Sequence, residues 1–534
     1  MILIFQQHDR MKSYIIKSTA LLLCVLLIAA CSGKKADNKA YLNVIPDDAM
    51  IVSKVEIGNL LDKSDILGNT FVKVEFEKAI ADVPAQQRVL LKEIFANPKA
   101  SGIDLSAPMY VAILGVEPAK IVMTAKMDDM TAFENMISTF FEDEFETTEK
   151  DGMYHIVSED MYYSVGETAV AFAYDADKMV LVIEEGYADI SSYLKLPSNR
   201  QALNNEKFEP LFGSDDDISW MINYGPLVQY MIKERVIDRE MIPFFAMMKE
   251  SIVLCSFDFE DGYAEIKSTP NLSEEHRLLI QDFLKKSTHR HYAYIPDNSF
   301  AVISYNFNLM QLYSILETTG LLKELEKNGV NNGVVKDLLA ALSGDYTFAA
   351  WADGETLEDM RFMVAVDCSD RSLFDLLIAY AQFELGATTT TLDDDVYLLG
   401  DSDYCIMYKE NAIMLMPEDI YDKINVRGDI KPLRRNLESN RLFSSVANDI
   451  VLDFKPIREL VAEYVRENMT YRSQRDTQTM VMLEMLNVVD NMTVDSNIDK
   501  SCIRVNTANK NINSLKYILD KLISSAVRNG KYSY

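Results

Sequence analysis

Two runs of three carboxylates stand out: Asp215, Asp216 and Asp217 in GSDDDI, and Asp393, Asp394 and Asp395 in LDDDV. Carboxylates crowded at a turn can coordinate calcium, or supply the acid and base of a glycosidase. Neither run has the interleaved ligand order and glycine of a calcium loop. Both precede alternating apolar residues, where a solvated turn before a strand is expected, and catalytic carboxylate pairs need separately tuned environments. His289 and His291 in KSTHRHYAY form an H-x-H pair. Such a pair can hold a metal with a third ligand, but none stands nearby in sequence, and a linker accounts for the segment. Cys255, Cys368, Cys405 and Cys502 match no zinc spacing; three of them sit in apolar strand-like runs, as buried free thiols do. No G-x-S-x-G, H-E-x-x-H, P-loop or G-x-G-x-x-G motif occurs. The expectation is a protein that is not an enzyme, with no metal and no cofactor.

Methionine carries the remaining chemistry. Met231, Met241, Met247 and Met248 lie in one helical region, and Met469, Met480, Met482 and Met485 in another. A stripe at helical spacing ordinarily fills a core. Flexible thioethers also suit a groove that repacks around apolar partners, which makes Met247, Met248, Met482 and Met485 the candidate ligand groove. Arg472 and Arg475 lie beside the second group, a local basic spot on a chain of formal charge −29. That charge excludes a nucleic-acid backbone as partner.

These residues must be positioned by whatever follows the first thirty. Translation is read as starting at Met11 rather than Met1: MKSYIIK supplies a cationic region, STALLLCVLLIAA an apolar one, and Ala29 and Ala30 precede Cys31. That order is a signal peptide over residues 1–30 ending in a lipobox. Cys31 is the expected lipid attachment site, carrying diacylglycerol and palmitate-type acylation, with residues 31–40 as a polar tether. Ser32 in place of aspartate points to the outer membrane. The absence of an acidic export cluster after Cys31 points to its periplasmic face.

The body repeats itself. VIPDDAMIV at position 44 returns as YIPDNSFAV at 294, and five further blocks recur in the same order. The pattern predicts a tandem duplication, with one domain at residues 41–288 and a second at 289–527. Strand pairs joined by short acidic or glycine turns, interrupted by helices, predict an α+β fold: two homologous lobes, each a mainly antiparallel sheet packed with helices. Proline suits the second position of a turn and an adjacent aspartate can hold it, so IPD is read as the turn that starts each sheet.

Leader, lipobox, tether, IPDDAM and the following NLLDKS helix resemble an uncharacterised family of Bacteroidota lipoproteins, known only as a domain of unknown function. The likeness spans the mature chain and implies an envelope-anchored α+β protein; it brings no catalytic residues. The expected function is a non-enzymatic lipoprotein whose two lobes offer a binding or scaffolding surface to an envelope protein. The alternatives are a carrier or sensor of a hydrophobic ligand or peptide, and a hydrolase with an acidic site.

Overall fold

The same turn opens both halves of the chain. The amide of Ala49 donates to the carbonyl of Pro46 at 3.3 Å, and that of Ser299 to the carbonyl of Pro296 at 3.2 Å. The next amide crosses to a neighbouring strand: Met50 to the Ile113 oxygen and Phe300 to the Ala350 oxygen, each at 2.9 Å. Proline therefore occupies the first, carbonyl-accepting position rather than the second, and the acidic or amide residues after it form the centre.

The computed structural model describes residues 39–528, apart from 117–118, 142–145, 151–152, 158–167, 186–188, 238, 286, 384–387, 401, 425–449 and 469–485. These form an α+β protein of two compact units, one running to Tyr230 and including Leu254–Phe259, the other comprising Met231–Val253 and everything from Glu260 onward. The strands of the first unit are β1 (Ile51–Val55), β2 (Met109–Val116), β3 (Ala119–Lys126), β4 (Glu146–Lys150), β5 (Met153–Val157), β6 (Thr168–Tyr174), β7 (Lys178–Glu185) and β8 (Ile218–Asn223). They pair antiparallel in the order β4-β5-β6-β7-β3-β2-β1-β8. Helices α1 (Ile57–Ser64), α2 (Thr70–Ala79) and α3 (Ala85–Ala96) lie between β1 and β2, and α4 (Met130–Phe141) follows β3. Asn69 caps α2, its side chain accepting from the amides of Phe71 and Val72. The core gathers Phe76, Ile94, Phe95, Phe133 and Tyr174, with Phe133 edge-on to Tyr174 at 5.1 Å. Segment 254–259 of β9 (Ile252–Glu260) belongs to this unit.

The second unit contains β10 (Tyr263–Asn271), β11 (Leu284–Lys285), β12 (Ala301–Phe307), β13 (Gly344–Ala352), β14 (Met360–Asp367), β15 (Thr389–Asp393), β16 (Val396–Leu399), β17 (Tyr404–Lys409), β18 (Ala412–Pro417), β19 (Ile450–Asp453), β20 (Val489–Ser496) and β21 (Ser501–Thr507). Their antiparallel order is β15-β16-β17-β18-β14-β13-β12-β19-β20-β21-β10, with β11 also on β12. Its first eight strands repeat the order of the first unit strand for strand. Helix α5 (Leu309–Thr318) and α6 (Asn332–Ala341) stand between β12 and β13, and α7 (Arg371–Phe383) follows β14 as α4 follows β3.

Chain order and packing part company at two places. Residues 231–253 and 260–288, assigned by sequence to the first repeat, lie in the second compact unit. There β10 pairs with β21, and Glu265 faces Arg504 across the ladder in an ion pair of 2.7 Å. The segment read as a linker is instead part of a core. His291, Tyr292 and Tyr294 are buried in a short 3₁₀ turn, Arg290–Tyr294, because two tyrosines and an imidazole carry more apolar surface than a solvated linker leaves exposed.

Candidate functional site

Helix α7 holds the sheet with one face and offers apolar side chains on the other. Phe374 and Ile378 are buried against Tyr397, Leu399, Tyr408, Ile413 and Leu415. Leu376, Leu377, Tyr380 and Phe383 are exposed by 63, 41, 56 and 84 %. At 3.6 residues per turn, Leu376, Tyr380 and Phe383 form one outward line. A helix apolar all round is ordinarily buried. Covering a leucine or phenylalanine side chain fully is worth about 1.5–3 kcal/mol, so this face leaves several kcal/mol unclaimed. The first unit supplies the comparison. In α4, Phe133 takes the place of Phe374 and is buried, whereas the positions matching Leu376 and Tyr380 are Asn135 and Thr139, and the sequence has Glu142 opposite Phe383. The same helix in the same fold is thus polar outward in one copy and apolar outward in the other. Sequence reading paired the two phenylalanines and missed the outward line, whose signal was a helix with only Ser372, Asp375 and Gln382 polar after its first residue.

The acidic triplets diverge. Asp393, Asp394 and Asp395 form a turn in which Asp395 adopts φ 62° and pairs with Arg371 of α7. Asp217 is not a solvated turn residue as expected; it is fully buried. One oxygen accepts from Lys63 Nζ and from the Phe259 amide, each at 2.8 Å. Lys63 also donates to Asp258 at 2.8 Å. Burial, reinforced by the hydrogen bond with Asp258, outweighs Lys63 and the Phe259 amide and raises the Asp217 pKa to about 6. The lysine also moves up: burial pulls it down, but hydrogen bonds and charge from the two carboxylates overcome that and push it above its ordinary range. The cluster ties α1 to β8 and β9 within the first unit. Its lysine lies 154 positions from Asp217, so sequence spacing could not reveal it.

His291 Nε2 lies 3.0 Å from Asp367, and Nδ1 3.2 Å from the Thr347 hydroxyl. Burial works to raise the Asp367 carboxyl, but the His291 hydrogen bond, the Asp345 amide and the Arg290 charge hold it below the usual carboxylate range. Among the described residues no group of His, Cys, Asp and Glu could hold a metal ion. Cys368 and Cys405 are buried thiols, and Cys255 and Cys502 are half-buried. Burial pushes the Cys405 thiol up to about 12.

Met247 ends a short helix, Ile242–Met247, and Met248 follows as its cap; both are half-buried. Met482, Met485 and Cys31 lie outside the described residues. A groove of about 350 Å³ lies elsewhere, between α2 and α3. Leu67, Phe76, Phe95 and Ala96 line it, with Lys73, Lys92 and Glu77 as its polar residues, and Phe76 and Phe95 stack at 4.2 Å. No described helix is long and apolar enough to cross a membrane.

The described residues form an antiparallel α+β protein of two compact units, with helix α7 apolar on its outward side. The model of a domain of unknown function, DUF4836, matches residues 41–421, and the chain belongs to that family. Among solved structures, crystal form IV of TP0453 is similar at 12% identity and TM-score 0.27, over 46% of this chain and 86% of that one. Crystal form III of TP0453 gives 14% identity and TM-score 0.26, over 45% and 81%. Scores this low do not assign a shared fold. No curated protein matches the sequence.

Proposed function

We propose that the protein is a lipid-anchored envelope protein, held through Cys31 at the periplasmic face of the outer membrane, whose work is to bind another component rather than to transform one. The outward line of α7 carries this reading: a duplicated fold keeps that helix polar in one copy and apolar in the other. A buried-type surface maintained at an exposed position serves contact. The leader and lipobox, with their likeness to Bacteroidota lipoproteins, support the address. The test is crosslinking of the native lipidated chain in its own envelope, comparing wild type with L376N/Y380T/F383E. A specific partner whose recovery drops at least tenfold in the variant supports the reading. Turnover of a defined substrate with no specific partner overturns it. Cys31→Ser should release the protein from washed membranes; retention sinks the anchor.

A second reading, a carrier or sensor of a hydrophobic ligand, is favoured by the groove between α2 and α3, where an aromatic floor lies among two lysines and a glutamate. Native mass spectrometry of protein released from its membranes should then show a bound amphiphile that F95A loses.

A further inference from the structure

The two units differ again, on the sheet face that α4 and α7 do not cover. The hairpins β6–β7 and β17–β18 align at their two-residue turns, Ala176–Asp177 and Glu410–Asn411. This matches Ala171, Ala173, Val180 and Val182 to Cys405, Met407, Met414 and Met416. On the neighbouring strand Val122, paired with Val182, matches Met363, which stands across from Met416 one residue beyond the Val364–Leu415 pair. All these positions are buried in both units, none more than 1 % exposed. The first unit has no sulfur at any of them, and the second has sulfur at every one.

Register brings these sulfurs within mutual reach. Cys405 lies directly across from Met416, and Met407 from Met414; alternate residues share a face, so all four side chains stand on one side. Facing Cβ atoms in such a ladder are about 4.5–5.5 Å apart, and successive rows on one face about 7 Å. Thioether arms with three rotatable bonds can converge above the middle of that rectangle, with Met363 flanking Met416. Tyr294, Ile295, Ile420 and Tyr421 pack in the same cluster, and the sulfur layer is closed to water. Core filling alone does not call for this choice. Leucine or valine fills such space with fewer rotors to freeze, and the first unit manages with alanine and valine.

We propose that Cys405, Met407, Met414 and Met416, with Met363 beside them, bind one monovalent copper ion in the core of the second unit. Soft thiolate and thioether donors select Cu(I) over zinc, calcium or magnesium. Binding exchanges the S–H bond of Cys405 for an S–Cu bond; the proton leaves to solvent and no electron moves. Thiolate and Cu(I) together are neutral, so the ion is no unpaired charge in a dry core. The negative charges of Glu418 and Asp422 act on Cys405 and favour a cation there. This site is separate from the outward line of α7 and does not depend on it.

Anaerobic titration of the reduced full chain with Cu(I), against a chromophoric Cu(I) chelator, tests this. It is run on folded protein and on protein refolded with the ion present, because the site is closed. One equivalent should be held, with a thiolate-to-copper absorption band, and affinity should rise about tenfold per pH unit as the ion displaces the thiol proton. M407L/M414L/M416L keeps the core volume and should weaken binding at least tenfold; M416L alone replaces it if the triple variant does not melt cooperatively. C405A should remove both the band and the pH dependence. Less than one equivalent bound after refolding overturns the proposal. So does equal affinity in wild type and the leucine variant, an affinity independent of pH in wild type, or Zn(II) held as tightly as Cu(I).

Discussion

Asp217 shows how far one residue's setting can depart from its local sequence. A carboxylate in a triplet before a strand reads as solvated, yet Lys63, Asp258 and the Phe259 amide enclose it. Its folded pKa, about 6, lies above the value an unfolded chain would show. Proton binding there favours the folded state: the stabilisation is complete below about pH 4 and is lost as pH rises through 6. Relative to Asp217→Asn, the wild-type first unit should therefore gain about 2 kcal/mol of unfolding free energy between pH 7.5 and pH 4.5. Urea titration at the two pH values measures it; an unchanged difference between the proteins would remove the buried ionised form from the account. His291 is a similar case, for its partners Asp367 and Thr347 come from strands far along the chain.

At the scale of elements, much was legible. Alternation and turn chemistry marked β1, β2, β3, β7 and their counterparts, because a half-buried strand must alternate to keep one face on helices. The opening turn was legible as a turn, although Pro46 and Pro296 accept its hydrogen bond instead of occupying its second position. The outward side of α7 was not read. Periodicity asks whether a helix has an apolar face, and α7 has one twice over, so the test passes without revealing the second. L376N/Y380T/F383E should fold as well as wild type, its melting temperature unchanged or raised, because the three side chains bury little and α4 carries polar residues at the described matching positions. It should also bind less of a dye that reports exposed apolar surface. A large loss of stability would mean that those residues are packed in solution, and that the helix has no free face.

The molecule as a whole carries one tryptophan in each compact unit, Trp220 in β8 and Trp351 in β13. Each unit has its own apolar core, the condition for unfolding as a separate transition. In chains retaining only Trp220 or only Trp351, Asp217→Asn should shift the Trp220 transition and leave the Trp351 transition in place. A joint shift of equal size would show a single cooperative unit. Six blocks recur along the sequence in the same order with matching turn chemistry and apolar period, though sparse identity, whereas the placement of β10 was not legible, since nothing local distinguishes a strand that pairs early from one whose partner lies 239 residues later.

The pairing of β10 with β21 bears on where the chain can be divided. A strand that covers one side of β21 in the second unit lies within the segment read as the first repeat. A chain cut at residue 288 would yield a later half without β10, with the backbone of β21 bare along one side and open to promiscuous pairing between molecules. A chain beginning at residue 289 thus has an edge to protect that the full chain does not.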